Sequence, residues 1–143
     1  MSIHPVHAFA ILQKSKQVEF RKRPVCSDVS HILIYATQPI GAIVGAFAIV
    51  DQCTSHPNRL WDDFHEIGGI SRDLFDTYYG EKESGTGIRI GQVYAMPDFV
   101  SLEDYFGWKR PPQSYQYADH SKAVDILEMA FKFPVLMDGL EVN

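Results

Sequence analysis

Residues 31–50 read His31-Ile32-Leu33-Ile34-Tyr35-Ala36, Thr37-Gln38-Pro39-Ile40-Gly41, then Ala42-Ile43-Val44-Gly45-Ala46-Phe47-Ala48-Ile49-Val50. Two apolar, β-rich runs flank a turn that carries proline and glycine. Neither run alternates strictly between apolar and polar residues. Apolar character on both faces marks strands that are covered on both sides. Gly45 inside the second run predicts a bend or bulge. Such strands in a chain that also holds helices predict a curved sheet or barrel with helices packed on it.

Upstream, Gln17-Val18-Glu19-Phe20-Arg21-Lys22-Arg23 alternates, with Val18 and Phe20 on one face and Glu19, Arg21 and Arg23 on the other. Pro24 ends this half-buried strand. Before it, Pro5 to Gln13 predicts a short helix on the spacing of Val6, Phe9, Ala10 and Gln13. Downstream, Ser55 is the predicted N-cap of a helix carrying Leu60, Trp61, Phe64 and Ile67, which Gly68-Gly69 stops. Ser71 caps a second helix with Leu74, Phe75 and Tyr78 facing inward, closed by Gly80. Thr86 to Tyr94 predicts a strand, and Ser101 to Tyr105 a short helix or turn. The two prolines of Arg110-Pro111-Pro112-Gln113-Ser114-Tyr115 make that segment a loop. Ser121 begins a last helix that buries Ala123, Ile126, Leu127, Ala130 and Phe131, and Pro134 ends it.

The chain has 143 residues, 45% hydrophobic, 22% charged and 13% aromatic. That composition suits one globular domain over residues 1–143 with a sizeable core, not a disordered chain. There is no apolar run of about 18 residues, so no membrane-spanning helix is expected. Met1 to His7 lacks the basic start and apolar stretch of a signal peptide, so a cytoplasmic location is the expectation. Two cysteines, Cys26 and Cys53, make no disulfide framework. A net charge of -5 argues against a globally basic nucleic-acid binder. Five of the 13 lysines and arginines nevertheless fall between Lys14 and Arg23, opposed only by Glu19, a basic stripe that suits phosphate.

Gly85, Gly87 and Gly91 do not have the spacing of a dinucleotide fingerprint, and no helix follows them. A bulged strand accounts for them better. Cys53 and His56 have a loose metal-ligand spacing, but the other histidines, at 4, 7, 31, 65 and 120, complete no four-ligand site. No metal and no cofactor are expected. There is no G-x-S-x-G elbow. Lys16 beside Glu19 and Arg21 suits a charged clamp for an anionic or polar ligand. A desolvated Lys16 would also serve as base or nucleophile. The simpler alternative is a surface pair of Glu19 with a neighbouring cation, which contributes little. The tyrosines and Gln113 of the proline-stiffened loop either stack on and read a base or pack the loop onto the sheet.

In their order, Ile3 to Leu12, Lys16-Gln17-Val18-Glu19-Phe20-Arg21, Ile32 to Thr37, Ile43 to Phe47, Leu60-Trp61, Ile70-Ser71 and Arg110 to Tyr115 resemble the ASCH family, within the PUA-like superfamily. The resemblance runs over roughly residues 3 to 117. It implies an α+β fold, a PUA-like small β-barrel with flanking helices and a surface cleft. It also implies RNA-related work: binding RNA or a modified nucleotide and, in some branches, hydrolysis. One branch holds bacterial N4-acetylcytidine amidohydrolases that use a lysine, a threonine and a glutamate; another has ribonuclease activity. Lys16 matches the family lysine, although Lys14 stands where a glycine is frequent. Glu19 occupies the threonine position, Arg21 matches the strand arginine, and Glu66 is the nearest candidate for the glutamate.

The leading reading is therefore a domain that binds RNA or a nucleotide or nucleoside through Lys16, Glu19, Arg21, Gln113, Ser114 and Tyr115. The rival is a small hydrolase of an acylated nucleoside or of RNA, with Lys16, Glu19 and Glu66 as its catalytic set. Strict alternation puts Lys16 and Glu19 on opposite strand faces unless the strand begins after Lys16. A third reading, a protein-interaction module, calls for a large exposed apolar patch and an uncharged cleft.

Overall fold

Alternating apolar strands and short capped helices build a mixed α/β domain in the computed structural model, which describes residues 1–136. The elements run β1 (Ser2–Ile3), α1 (Pro5–Leu12), β2 (Val18–Arg21), β3 (His31–Ala36), β4 (Ala42–Ser55), α2 (Pro57–Phe64), α3 (Arg72–Tyr79), β5 (Gly85–Val100), α4 (Leu102–Phe106), α5 (His120–Ala130) and β6 (Pro134–Val135). The expected single domain extends to residue 143, and its last residues, 137–143, lie outside the described part.

The six strands form one sheet in the order β1-β3-β4-β5-β2, with β6 added to β5. β1 pairs with β3 in parallel, and the other ladders are antiparallel. The expected barrel is corrected here, because among the described residues no ladder joins the end strands β1 and β2. Both are short, with two and four residues. A side chain spans the opening instead: Arg21 Nη2 donates to Ser2 O at 2.8 Å. The bend predicted at Gly45 coincides with a register shift between Ile43 and Gly45. A Cβ at Gly45 would lie 2.4 Å from Tyr94 O, so the close approach of β5 needs glycine there.

Three apolar clusters hold helices to this sheet. Ala8 and Ile11 of α1 pack with Ile34, Phe47, Ile88 and Val93. Leu102 and Phe106 of α4 and Ile126 and Ala130 of α5 pack on Tyr35 and Ile43. Leu60, Phe75 and Tyr79 of α2 and α3 pack under Val18 and Phe20 of β2.

Several helix details differ from the expectations. The N-cap of α2 is His56, whose Nδ1 accepts from Asn58 N, because β4 continues through Ser55. On α3 the buried pair is Phe75 and Tyr79, while Leu74 and Tyr78 are exposed. Phe75 and Tyr79 are four residues apart and so share a helix face; that face meets Phe20 edge-on at 5.0 Å through Phe75. The N-cap of α5 is Asp119 rather than Ser121, and Phe131 lies 42% exposed beyond the helix end. The glycines of β5 serve packing: a Cβ at Gly85 would meet the Tyr79 ring at 2.5 Å, and one at Gly87 the Phe64 ring at 3.3 Å.

Candidate functional site

Where β2 faces away from α2, its residues floor a cleft of about 300 Å³. Glu19 and Arg21 form the floor. Ser2, His4 and His7 come from β1 and the start of α1, and Leu74 and Tyr78 from the outer face of α3. Lys16 enters from the turn between α1 and β2.

That turn decides the chemistry. After α1, the amides of Ser15 and Lys16 both donate to Ala10 O, with Lys14 in the left-handed region at φ 66°. The strand then starts only at Val18. The alternation that would separate Lys16 from Glu19 therefore never applies, and both side chains line one cleft. Gly68-Gly69 does more than stop a helix. Gln17 N donates to Ile67 O at 2.7 Å, pulling the turn against this segment. A Cβ at Gly69, itself at φ +61°, would sit 2.7 Å from Lys16 Cβ. A Cβ at Gly68 would sit 2.6 Å from the Phe20 ring. Both glycines leave the room that Lys16 and Phe20 fill.

Lys16 is only 2% exposed. Its Nζ donates to Gly68 O at 2.5 Å and stands 5.3 Å from the Phe20 ring centre. Burial pulls its pKa below the ordinary lysine range, opposed by the Glu19 charge and reinforced by Arg21. Glu19 is 7% exposed, with Oε1 3.4 Å from Arg21 Nε. Arg21 is fixed at three points: Nη2 on Ser2 O, Nη1 donating to Ser114 Oγ at 3.2 Å, and its own carbonyl accepting from Tyr79 Oη at 2.8 Å. Burial, then Tyr78, pushes the Tyr79 hydroxyl up, so it stays a donor. Burial, then the charge of Lys16, lowers His7.

Among the described residues, four buried side-chain polar atoms lack a hydrogen-bond partner. Three of them, Glu19 Oε2, Arg21 Nε and His7 Nδ1, belong to residues of this cleft. Each such atom costs roughly 1–3 kcal/mol when left unpaired. An acceptor, a donor and an imidazole nitrogen concentrated in one cleft match a ligand that carries both hydrogen-bond donors and negative charge.

The other residues singled out in the sequence divide between locations. Ser114 joins the cleft through Arg21, and its carbonyl accepts from Ser2 N at 2.8 Å. Gln113 is exposed and lines neither this cleft nor the larger cavity described below. Tyr115 turns to the larger cavity, its hydroxyl donating to Pro24 O. Glu66 is exposed beyond α2 and is not a cleft residue. The sequence reading missed His4, His7 and Tyr78. The i, i+3 spacing of His4 and His7 at a helix start was the available signal. Among the described residues no group of three or more His, Cys, Asp or Glu is placed to hold a metal ion. No helix there is long and apolar enough to cross a membrane.

No family model matches the chain. A curated relative, the ASCH domain-containing ribonuclease of Zymomonas mobilis, is 28% identical over 117 residues, covering 80% of this chain and 79% of that one. The large ribosomal subunit protein uL22 of Ureaplasma parvum is 24% identical over 71% of this chain, a match that takes up 32% of the ribosomal protein. The crystal structure of ASCH from Zymomonas mobilis superposes with a TM-score of 0.82 at 23% identity, covering 90% of this chain and 92% of its own. A single-substitution variant of the same protein gives the same TM-score at 22% identity. The chain is thus similar in sequence to an ASCH domain-containing ribonuclease and shares the fold of the ASCH structures.

Proposed function

We propose that the cleft binds RNA and cleaves it through Lys16, Glu19 and Arg21. The observation that carries this reading is their convergence: a desolvated amine, a carboxylate with one unpartnered oxygen and a fixed guanidinium share one cleft. The ribonuclease name of the Zymomonas mobilis relative points the same way. A charged cleft also runs against the protein-interaction reading, which calls for an uncharged one.

The chemistry follows from the donor and acceptor roles. Glu19 Oε2 takes the proton of a ribose 2′-hydroxyl. The 2′-oxygen attacks the adjacent phosphorus and the bond from phosphorus to the 5′-oxygen breaks. Lys16, as ammonium, gives a proton to the leaving 5′-oxygen, while Arg21 faces the charge that builds on the phosphoryl oxygens. The products are a 2′,3′-cyclic phosphate and a 5′-hydroxyl. Tyr78, with Lys22 Nζ 5.0 Å from its ring centre, offers a face at the rim for a neighbouring base. Few cations meet the phosphates, so the salt dependence of binding is shallow, with a slope of about −1.4 for two contacts on a single strand.

A labelled single-stranded RNA carrying one 2′-deoxy nucleotide at the mapped cleavage position tests the reading. Cleavage stops at that position, and the parent RNA ends in a 2′,3′-cyclic phosphate. Equal cleavage of the 2′-deoxy position overturns it.

A further inference from the structure

A second and larger cavity, of about 510 Å³, lies across the Pro111–Tyr115 loop from the charged cleft. Its volume falls within the roughly 300–1,000 Å³ of small-molecule pockets. Ile43, Leu102 and Phe106 are buried residues of its lining, on β4 and α4. α5 contributes Ala123, Val124 and Leu127.

Its walls are aromatic and held in place. Phe106 and Trp108 stack at 4.9 Å with 26° between their planes. Tyr115 is tethered by its hydroxyl to Pro24 O. Tyr117 Oη accepts from Cys26 N at 3.0 Å. Rings fixed by their hydroxyls present flat apolar surface at little further entropic cost.

The polar groups differ in kind from those of the cleft. No lysine or arginine lines this cavity. Exposed side chains of Asp28, Gln116 and His120 sit among its lining residues. Burial lowers the His31 pKa, disfavouring its charged form. A phosphate or carboxylate finds no lysine or arginine here and meets the Asp28 charge. A ring N–H meets the Asp28 carboxylate and the Gln116 amide oxygen as acceptors, and a ring nitrogen meets the Tyr117 hydroxyl and the Gln116 amide hydrogens as donors.

We propose that this cavity is a binding site for an uncharged planar heteroaromatic molecule, separate from the RNA cleft. The ring lies between the aromatic walls, and its polar edge meets Asp28, Gln116 and the Tyr117 hydroxyl.

Calorimetric titration with two matched pairs tests it: adenine against adenosine 5′-monophosphate, and indole against indole-3-acetate. At least one neutral probe binds saturably, and its anionic counterpart binds at least tenfold more weakly. Ala123→Trp fills the cavity from α5 without removing a core side chain, and it abolishes that binding while far-ultraviolet circular dichroism and Tm stay at parent values. Should Ala123→Trp lower Tm, Ala123→Leu replaces it as the filling variant. Glu19→Gln leaves the neutral probe's affinity unchanged, which separates this site from the cleft whether or not the cleft cleaves RNA. The proposal fails if neither neutral probe saturates at millimolar concentration, if the anionic partner binds equally well, or if the folded filling variant binds like the parent.

Discussion

β2 is four residues long, and its two faces have opposite uses. Val18 looks into the cluster with Leu60, Phe75 and Tyr79, and Phe20 joins that cluster while its ring also borders the cleft beside Lys16. Glu19 and Arg21 look into the cleft, where Glu19 Oε2 and Arg21 Nε make no hydrogen bond, although Nε faces Glu19 Oε1 at 3.4 Å. The adjacent faces share one backbone and nearly the same burial, with Phe20 5% and Glu19 7% exposed. Burial by itself therefore does not tell a stabilising residue from a functional one. The unpaired polar atoms separate the two faces: three of the four among the described residues belong to cleft residues and none to the apolar cluster. The apolar face supplies the stability that lets the polar face stay unsatisfied.

The comparison breaks most sharply on kinetics. Glu19→Gln keeps the volume and removes the charge, so RNA cleavage falls by about 10²–10⁴-fold while Tm stays near the parent value. Rate and thermal unfolding measured on one preparation check both halves. Val18→Ala does the reverse: it costs about 2 kcal/mol of stability, read from urea unfolding, and leaves the cleft lining intact. Gly69→Ala joins the faces, because the new Cβ meets Lys16 in a left-handed backbone. About 1–2 kcal/mol is lost to the backbone conformation, and cleavage falls with it as Lys16 shifts.

Lys16→Met sharpens the electrostatic side. The unfolded lysine titrates near 10.5 and the folded one lower, so over that window the unfolded chain binds more protons. The stability of the parent relative to Lys16→Met therefore rises as pH increases from the lowered folded value to 10.5, and it is flat below. Urea unfolding of both proteins across alkaline pH reads this difference, and Tyr79 cancels because both carry it. The smallest effect belongs to a control away from both faces. Arg59→Ala breaks an exposed i, i+4 pair with Asp63 and costs about 0.3–0.5 kcal/mol.

Local pattern carried most of the architecture. The apolar runs at 31–36 and 42–50, the alternation at 18–21 and the glycine stops were visible because each rests on neighbouring residues. The open end of the sheet was not, since closure depends on how far two short end strands reach. The face of α3 was misread because Leu74 and Tyr78 are as apolar as their buried neighbours; the deciding partner, Phe20, is distant in sequence. Lys16, Glu19 and Arg21 were singled out by type and spacing. Their meeting depended on a left-handed Lys14 and on Gly69, neither of which announces a turn of that shape. The contacts of Arg21 with Ser2 and Ser114 span most of the chain and had no local signature.

The most direct test is single-turnover cleavage of a labelled single-stranded RNA by the parent, Glu19→Gln and Val18→Ala, each assayed well below its own Tm. The account predicts a loss of at least 100-fold for Glu19→Gln with unchanged Tm, and a rate within a few fold of the parent for the folded but weakened Val18→Ala, whose side chain lies outside the cleft. Parent-level cleavage by Glu19→Gln would contradict it.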